Sequence, residues 1–293
     1  MHSTFLSFSL TKKLTTLFDQ MNVFWEKHGT QRKIAFLLFW IYLASLLGIE
    51  LFLNGLYPDF LPTPPKNHFA AIHLAFSLIL ILELISLIFI IPESLSVSIG
   101  IQFEILTLIL LRNAFKELTT FEEPIMVQQA NLESLCTILV SALGALLVFI
   151  CLGIYKKIIK HPHFIHDIAV RQRYIQDKKL IALALLCIFV VTGCHTLYTE
   201  WQTNVHQNFF ETIYNVLIFA DIGIVLISQR YMTGYYAVFR NSGFVMGTLI
   251  MRLSLAAPPL WSPLLGLLAA LFVLGLTYGT NKYIPSIEKQ EIP

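Results

Sequence analysis

The 293-residue chain is 56% hydrophobic and only 13% charged, where soluble domains carry about 25% charged residues, and its mean hydropathy is +0.70. At about 20 apolar residues per crossing plus short loops, this length accommodates about seven to nine transmembrane helices and excludes a separate soluble catalytic domain. The net charge of +2 excludes an extended nucleic-acid surface, so the distribution of the charges carries the information.

From the N-terminus, Leu10, Leu14, Leu17, Phe18, Met21, Phe24 and Trp25 recur at spacings of three and four beside Lys12, Lys13 and Lys27. One apolar stripe next to cations predicts an amphipathic helix on the inner leaflet within 1–33, the alternative being a disordered tail. No small-residue cleavage site precedes the charged stretch at 26–33, which argues against a signal peptide. Eight apolar runs then follow, near 34–54, 68–92, 95–114, 134–155, 180–199, 209–229, 241–258 and 262–281. The third and seventh are the weakest, because each carries an arginine. Pro92 and the pair Pro258 and Pro259 act as breakers beside them.

Basic loops are retained on the cytoplasmic side. With both termini inside, sixteen of the twenty Lys and Arg residues fall in cytoplasmic segments, twelve of them before position 180. Lys66 and Lys116 fall outside, and Arg112 and Arg252 lie within spans. Trp201, Trp261 and Tyr57 then sit at the outer interface, as aromatic belts do. Cys136, Cys151, Cys187 and Cys194 form no CxxC pair and read as small core residues, with a Cys136–Cys194 disulfide as the minor alternative.

Self-comparison divides the chain into two sets of four helices, 34–158 and 179–283, joined by a basic cytoplasmic loop at 159–178 and followed by a tail at 284–293. Each set opens after a basic run. The second helix of each set carries an acid, Glu83 or Asp221; the third ends in TLILLR at Arg112 or TLIMR at Arg252; the fourth ends near a tyrosine in LGIYKK or LTYGTNKY. An even number of helices per set gives both the same orientation. The expected fold is therefore an all-α polytopic membrane protein of eight transmembrane helices in two tandem, like-oriented four-helix repeats.

The segment FADIGIVLISQRYMTGYYAVFRNSGFVMGTLIMR, Phe219 to Arg252, resembles the phosphate-starvation-inducible E (PsiE) family of small four-helix bacterial membrane proteins. It is similar in its acid (Asp221, where the family usually has Glu), its basic aromatic turn (Arg230, Tyr231, Gly234), and two arginines twelve apart, Arg240 and Arg252, around Gly247. The first half is similar more faintly: Glu83 and Arg112 match, but Gly100 stands where the first arginine would be. The resemblance implies a fused double version, an inner-membrane location and a link to phosphate limitation. It implies no chemical activity.

The intramembrane charges are the candidate site: Asp221, Arg252, Glu83, Arg112 and Glu104. A charge at the bilayer centre costs on the order of 2.5 to 3.5 kcal/mol, so such residues pair or hydrate. By helical rise, Asp221 and Arg252 lie at matching depth and can meet. Glu83 falls toward the inner half and Arg112 toward the outer, so their contact needs shifted registers, and Glu104 is the depth match for Glu83. Two carboxylates there would share a proton. Each set reads either as a structural ion pair or as part of an ion path. Arg240 reads as snorkelling to headgroups or, with Arg230, as a contact for an anionic lipid or phosphate.

Haem in a bundle needs facing axial histidines, and His73, His195 and His206 do not recur between the halves, which leaves a redox subunit as a remote alternative. His161, His163 and His166 lack a completing ligand set and read as a solvated loop. Gly243 with Gly247, and Gly275 with Gly279, form GxxxG spacings that mark close helix packing or chance. No nucleophile motif, phosphate loop or HExxH occurs, so no enzyme, cofactor or metal is expected. The expected partners are the lipid bilayer and an anionic lipid or phosphate, with a homo-oligomer left open and no nucleic acid.

Overall fold

The computed structural model describes residues 2–56, 67–117, 121, 132–160, 167–203, 209–232 and 234–288. These form helices throughout, with no strand among the described residues: α1 His2–Glu26, α2 His28–Leu53, α3 Phe69–Phe89, α4 Leu95–Lys116, α5 Leu132–Ile158, α6 Ile168–Thr203, α7 Phe209–Tyr231, α8 Tyr235–Ala256 and α9 Trp261–Glu288. Seven of them, α2 to α7 and α9, are long and apolar enough to cross a membrane, which makes this a multi-pass membrane protein.

Helix α8 is not among the seven, and its packing explains why. Its Arg240, Asn241, Thr248, Arg252 and Ser254 are all buried, so its polar groups face other helices rather than lipid. It runs antiparallel beside α9 over their shared length. Tyr236 Oη donates to the Thr280 carbonyl (2.9 Å) at one end, and Ser254 Oγ donates to the Ser262 carbonyl (2.6 Å) at the other. The approach is closest at the glycines. A Cβ on Gly247 would lie 2.3 Å from Val273 Cγ2, and one on Gly243 would lie 2.6 Å from Leu276 Cδ2. This GxxxG is a packing surface, as small residues between membrane helices are; Gly275 and Gly279 face open space.

Two apolar cores run through the bundle. One joins Phe18 of α1, Leu84 and Ile88 of α3, Leu185 and Phe189 of α6, and Leu217 and Ile224 of α7. The other joins Phe103 and Leu106 of α4, Val148 and Leu152 of α5, Phe244 of α8, and Ala270 and Val273 of α9. Helix α4 feeds both, through Ile105 and Ile109 on one face and Leu106 and Leu110 on another. Each core therefore mixes helices of both halves of the chain, and neither half has a core of its own. On α5 and α9, Gly144 accommodates Pro263, whose Cβ would lie 2.3 Å from an added Cβ.

Three expectations are corrected. The basic segment expected as a loop at 159–178 is helical from Ile168, because Arg171, Arg173, Lys178 and Lys179 are good helix formers and Tyr174 and Lys178 pack inward. The stripe on α1 is only partly a membrane face. Phe18 is buried against Phe89 (ring centroids 5.6 Å), and Trp25 Nε1 donates to Ser86 Oγ (3.0 Å), while Leu17 and Phe24 stay exposed. The terminal tyrosines are not equivalent: Tyr155 is buried and Tyr278 and Tyr283 are exposed. Tyr57, His206, the His161, His163 and His166 cluster and the 289–293 part of the tail lie outside the described residues.

Candidate functional site

Side chains on a helix tilt toward its N-terminus. In two antiparallel helices joined by a short turn, an acid on the first and an arginine farther along the second are therefore aimed toward each other. Asp221 of α7 and Arg252 of α8 obey this geometry: Arg252 Nε lies 2.5 Å from Asp221 Oδ2 and Nη2 lies 3.0 Å from Oδ1, a two-pronged pair. Thr248, one turn before Arg252, donates its hydroxyl to Asp221 Oδ2 at 3.1 Å. Asp221 is 5% and Arg252 3% exposed, so neither charge reaches lipid.

Glu83 of α3 and Arg112 of α4 repeat the arrangement. Arg112 Nη1 lies 3.1 Å from Glu83 Oε2 and also donates to the Phe76 carbonyl at 3.3 Å. Counting residue rise from the Pro92 turn separates the two by about 17 Å in depth, which is why Glu104 stood as the match for Glu83. Arg112 leans back toward the turn and Glu83 away from it, so each side chain closes part of that gap and the register of the two helices closes the rest. Glu104 is corrected accordingly: it faces outward and pairs with Lys156 of α5, not with Glu83. Tyr214 of α7 is buried in the apolar core that α3, α6 and α7 share. A small cavity of about 20 Å³, lined by Asp221, Thr248, Gln102 and Ser98, lies beside the α7–α8 pair, about the room one water needs.

Arg240 does not snorkel. It is 4% exposed, donates from Nη2 to Ser96 Oγ (2.8 Å) and to the Lys160 carbonyl (3.0 Å), and sits over the Phe244 ring at 4.7 Å. Its acceptors belong to the other half of the chain, which no count along α8 could reveal. Arg230 is exposed beside its neighbour Tyr231, and no described contact joins it to Arg240. His73 in α3 and His195 in α6 are exposed on separate helices. No group of three metal-ligating side chains exists among the described residues, and the four cysteines are free.

A cavity of about 520 Å³ opens at the end of the bundle where α4, α6 and α8 begin, with α1 as one wall. Sequence reasoning missed its most buried cation. Lys178 is 1% exposed and donates from Nζ to the Glu93 carbonyl at 2.6 Å, over the Tyr174 ring at 5.0 Å. The signal that could have found it is helical spacing: Tyr174 and Lys178 lie four apart, on one face of α6. Lys179, next to it, pairs with Asp19 of α1 at 2.6 Å.

No family model, curated protein or solved structure matches this chain. Its own residues therefore carry any assignment.

Proposed function

We propose that this is a non-enzymatic membrane protein that crosses the bilayer eight times, as two tandem, like-oriented four-helix units with both termini in the cytoplasm. Helix α8 is then the seventh crossing. At 22 residues it is about 33 Å long, enough for the hydrocarbon core, and it lies beside α9 from Ser262 to Thr280. The reading is carried by one observation: the acid of the second helix and the arginine of the third pair in both halves, Glu83 with Arg112 and Asp221 with Arg252. Each pair neutralises itself inside the protein, which supports a role in fixing helix positions rather than carrying ions. The bacterial inner membrane, a link to phosphate limitation and membership of the PsiE family complete the proposal, on the Phe219 to Arg252 resemblance alone.

A second reading, a proton or small-ion conductor, is favoured by the water-sized cavity beside Asp221, whose mainly apolar lining also carries Ser98, Gln102 and Thr248. Reconstitution in proteoliposomes under an imposed proton gradient separates the two. The structural reading predicts no charge movement above that of empty vesicles. Charge movement that Asp221→Asn abolishes would establish the conductor instead. Expression that rises on phosphate withdrawal supports the physiological link, and unchanged expression removes it.

A further inference from the structure

The large cavity at the basic end is built from parts that share one chemistry. Arg171, Lys178, Lys179 and Arg240 line it, against two acids, Asp19 and Glu93. Asp19 is already engaged by Lys179. Lys178 is the unusual member. A buried ammonium is costly unless it is paired and hydrogen-bonded, yet no described carboxylate lies within ion-pairing distance of Lys178, and Glu93 acts on it only by longer-range attraction. Its one hydrogen bond goes to a carbonyl, which leaves two of its three N–H donors unused.

Two further polar groups of the lining are unsatisfied. Tyr174 is 7% exposed, and its hydroxyl has no hydrogen-bond partner. The Asn22 side-chain oxygen on α1 is likewise buried without a donor. Buried polar groups are normally satisfied, so each such group calls for a reason. The first turn of α4, Ser94 to Val97, lines the same space. Ser94 precedes that 22-residue helix without making a side-chain cap, so the positive end of the helix faces the cavity as well.

We infer that this cavity binds a phosphate-bearing organic anion, with the phosphoryl oxygens held by Lys178, Arg171 and Tyr174 and the organic part resting against Pro92, Leu95 and Ile175. A phosphate monoester carries up to two negative charges and three acceptor oxygens. That matches the surplus of cations over acids and the unused donors better than a carboxylate, which has two acceptor oxygens. The volume of about 520 Å³ exceeds what an inorganic ion fills, and the half-buried apolar side chains of the lining give an attached apolar group a place. The same chemistry describes a soluble phosphate ester and the headgroup of an anionic phospholipid entering beside α1. The inference goes beyond the proposed function and stands whether or not the two halves are repeats.

The test uses the full chain in a phosphate-free maltoside detergent, with glycerol 3-phosphate and dihexanoyl phosphatidic acid as probes. Dihexanoyl phosphatidylcholine and sodium chloride at matched ionic strength are the controls. Thermal unfolding and a binding isotherm are read for the wild type, Arg171→Gln, Tyr174→Phe and Lys178→Met. A saturable rise in unfolding temperature with phosphatidic acid is expected, weakened about tenfold or more by Arg171→Gln, because a charge-assisted bond is lost. Tyr174→Phe should weaken it too, without lowering the stability of the ligand-free protein, since the hydroxyl has no partner there. A response to both probes identifies a soluble ester as sufficient, and a response to phosphatidic acid alone identifies a lipid headgroup. Should Lys178→Met fail to fold, the two other variants still decide. No saturable response to either probe overturns the inference, as does a response that the controls reproduce or that Arg171→Gln and Tyr174→Phe both leave unchanged.

Discussion

Arg240 Nη2 lies 2.8 Å from Ser96 Oγ, a bond between residues 144 positions apart. It ties the first turn of α4 to the second turn of α8, the third helix of each half, and with the Lys160 carbonyl it holds a guanidinium inside the protein. Ser96→Ala removes an acceptor from a buried charge, and such a loss costs about 1 to 3 kcal/mol. The expected outcome is a lowered unfolding temperature in detergent. Ser96→Thr, which keeps the hydroxyl, should retain most of the stability.

The contact between α8 and α9 gives a sharper contrast. Gly247→Ala places a methyl 2.3 Å from Val273 Cγ2, and Val273 is itself buried. Overpacking of this kind costs about 1 to 3 kcal/mol. Gly279→Ala adds the same methyl into open space, and replacing a helical glycine with alanine favours the helix by roughly 1 kcal/mol. Equilibrium unfolding of both variants should move in opposite directions.

These two bonds and one contact also mark how far the sequence could be read. The long apolar runs, the Pro92 and Pro258 breaks, and the acid and arginine of α7 and α8 were all legible, because each depends on residues close in the chain. Arg240 was not, since Ser96 and Lys160 reach it from the other half. Depth alone pairs Glu104 with Glu83, but depth ignores the direction a side chain points, and the partner of Glu104 is Lys156 on α5. Lys178 looks from the sequence like one more cation of a basic loop, because the burial that marks it comes from the packing of α6. The weak hydropathy of α8 was legible, and its cause, burial on most sides, required the packing.

The anchoring of α1 rests on few contacts. Phe18 is nearly fully buried against Phe89, and Trp25 bonds Ser86. Phe→Ala in a core costs about 3 to 5 kcal/mol, more than the about 1 kcal/mol each that the Trp25 hydrogen bond and the half-exposed Asp19–Lys179 pair contribute. Phe18→Ala should therefore release α1 without unfolding the bundle. Limited trypsin digestion should then cut faster at Lys12 and Lys13, with the fragment beyond Lys27 staying folded.

The eight-crossing topology can be tested at α8. In a variant without native cysteines, Ala257→Cys should react with a membrane-impermeant maleimide from the outside of intact cells, and Gly234→Cys only after permeabilisation. Reporter fusions after Asn131 and Asn204 should read outside, and one after Gln172 inside. Equal labelling at Gly234 and Ala257 from one side would mean that α8 does not cross.

The most direct measurement is a double-mutant cycle on Asp221 and Arg252, read as unfolding free energy in detergent. Breaking a buried pair from one side leaves a stranded charge, so Asp221→Asn and Arg252→Leu should each destabilise by on the order of 3 to 5 kcal/mol. The double variant should be less destabilised than either single variant, so the coupling should exceed one single effect, about 3 kcal/mol. Effects that simply add, or single variants as stable as the wild type, would contradict the claim that these paired charges hold the helices in place.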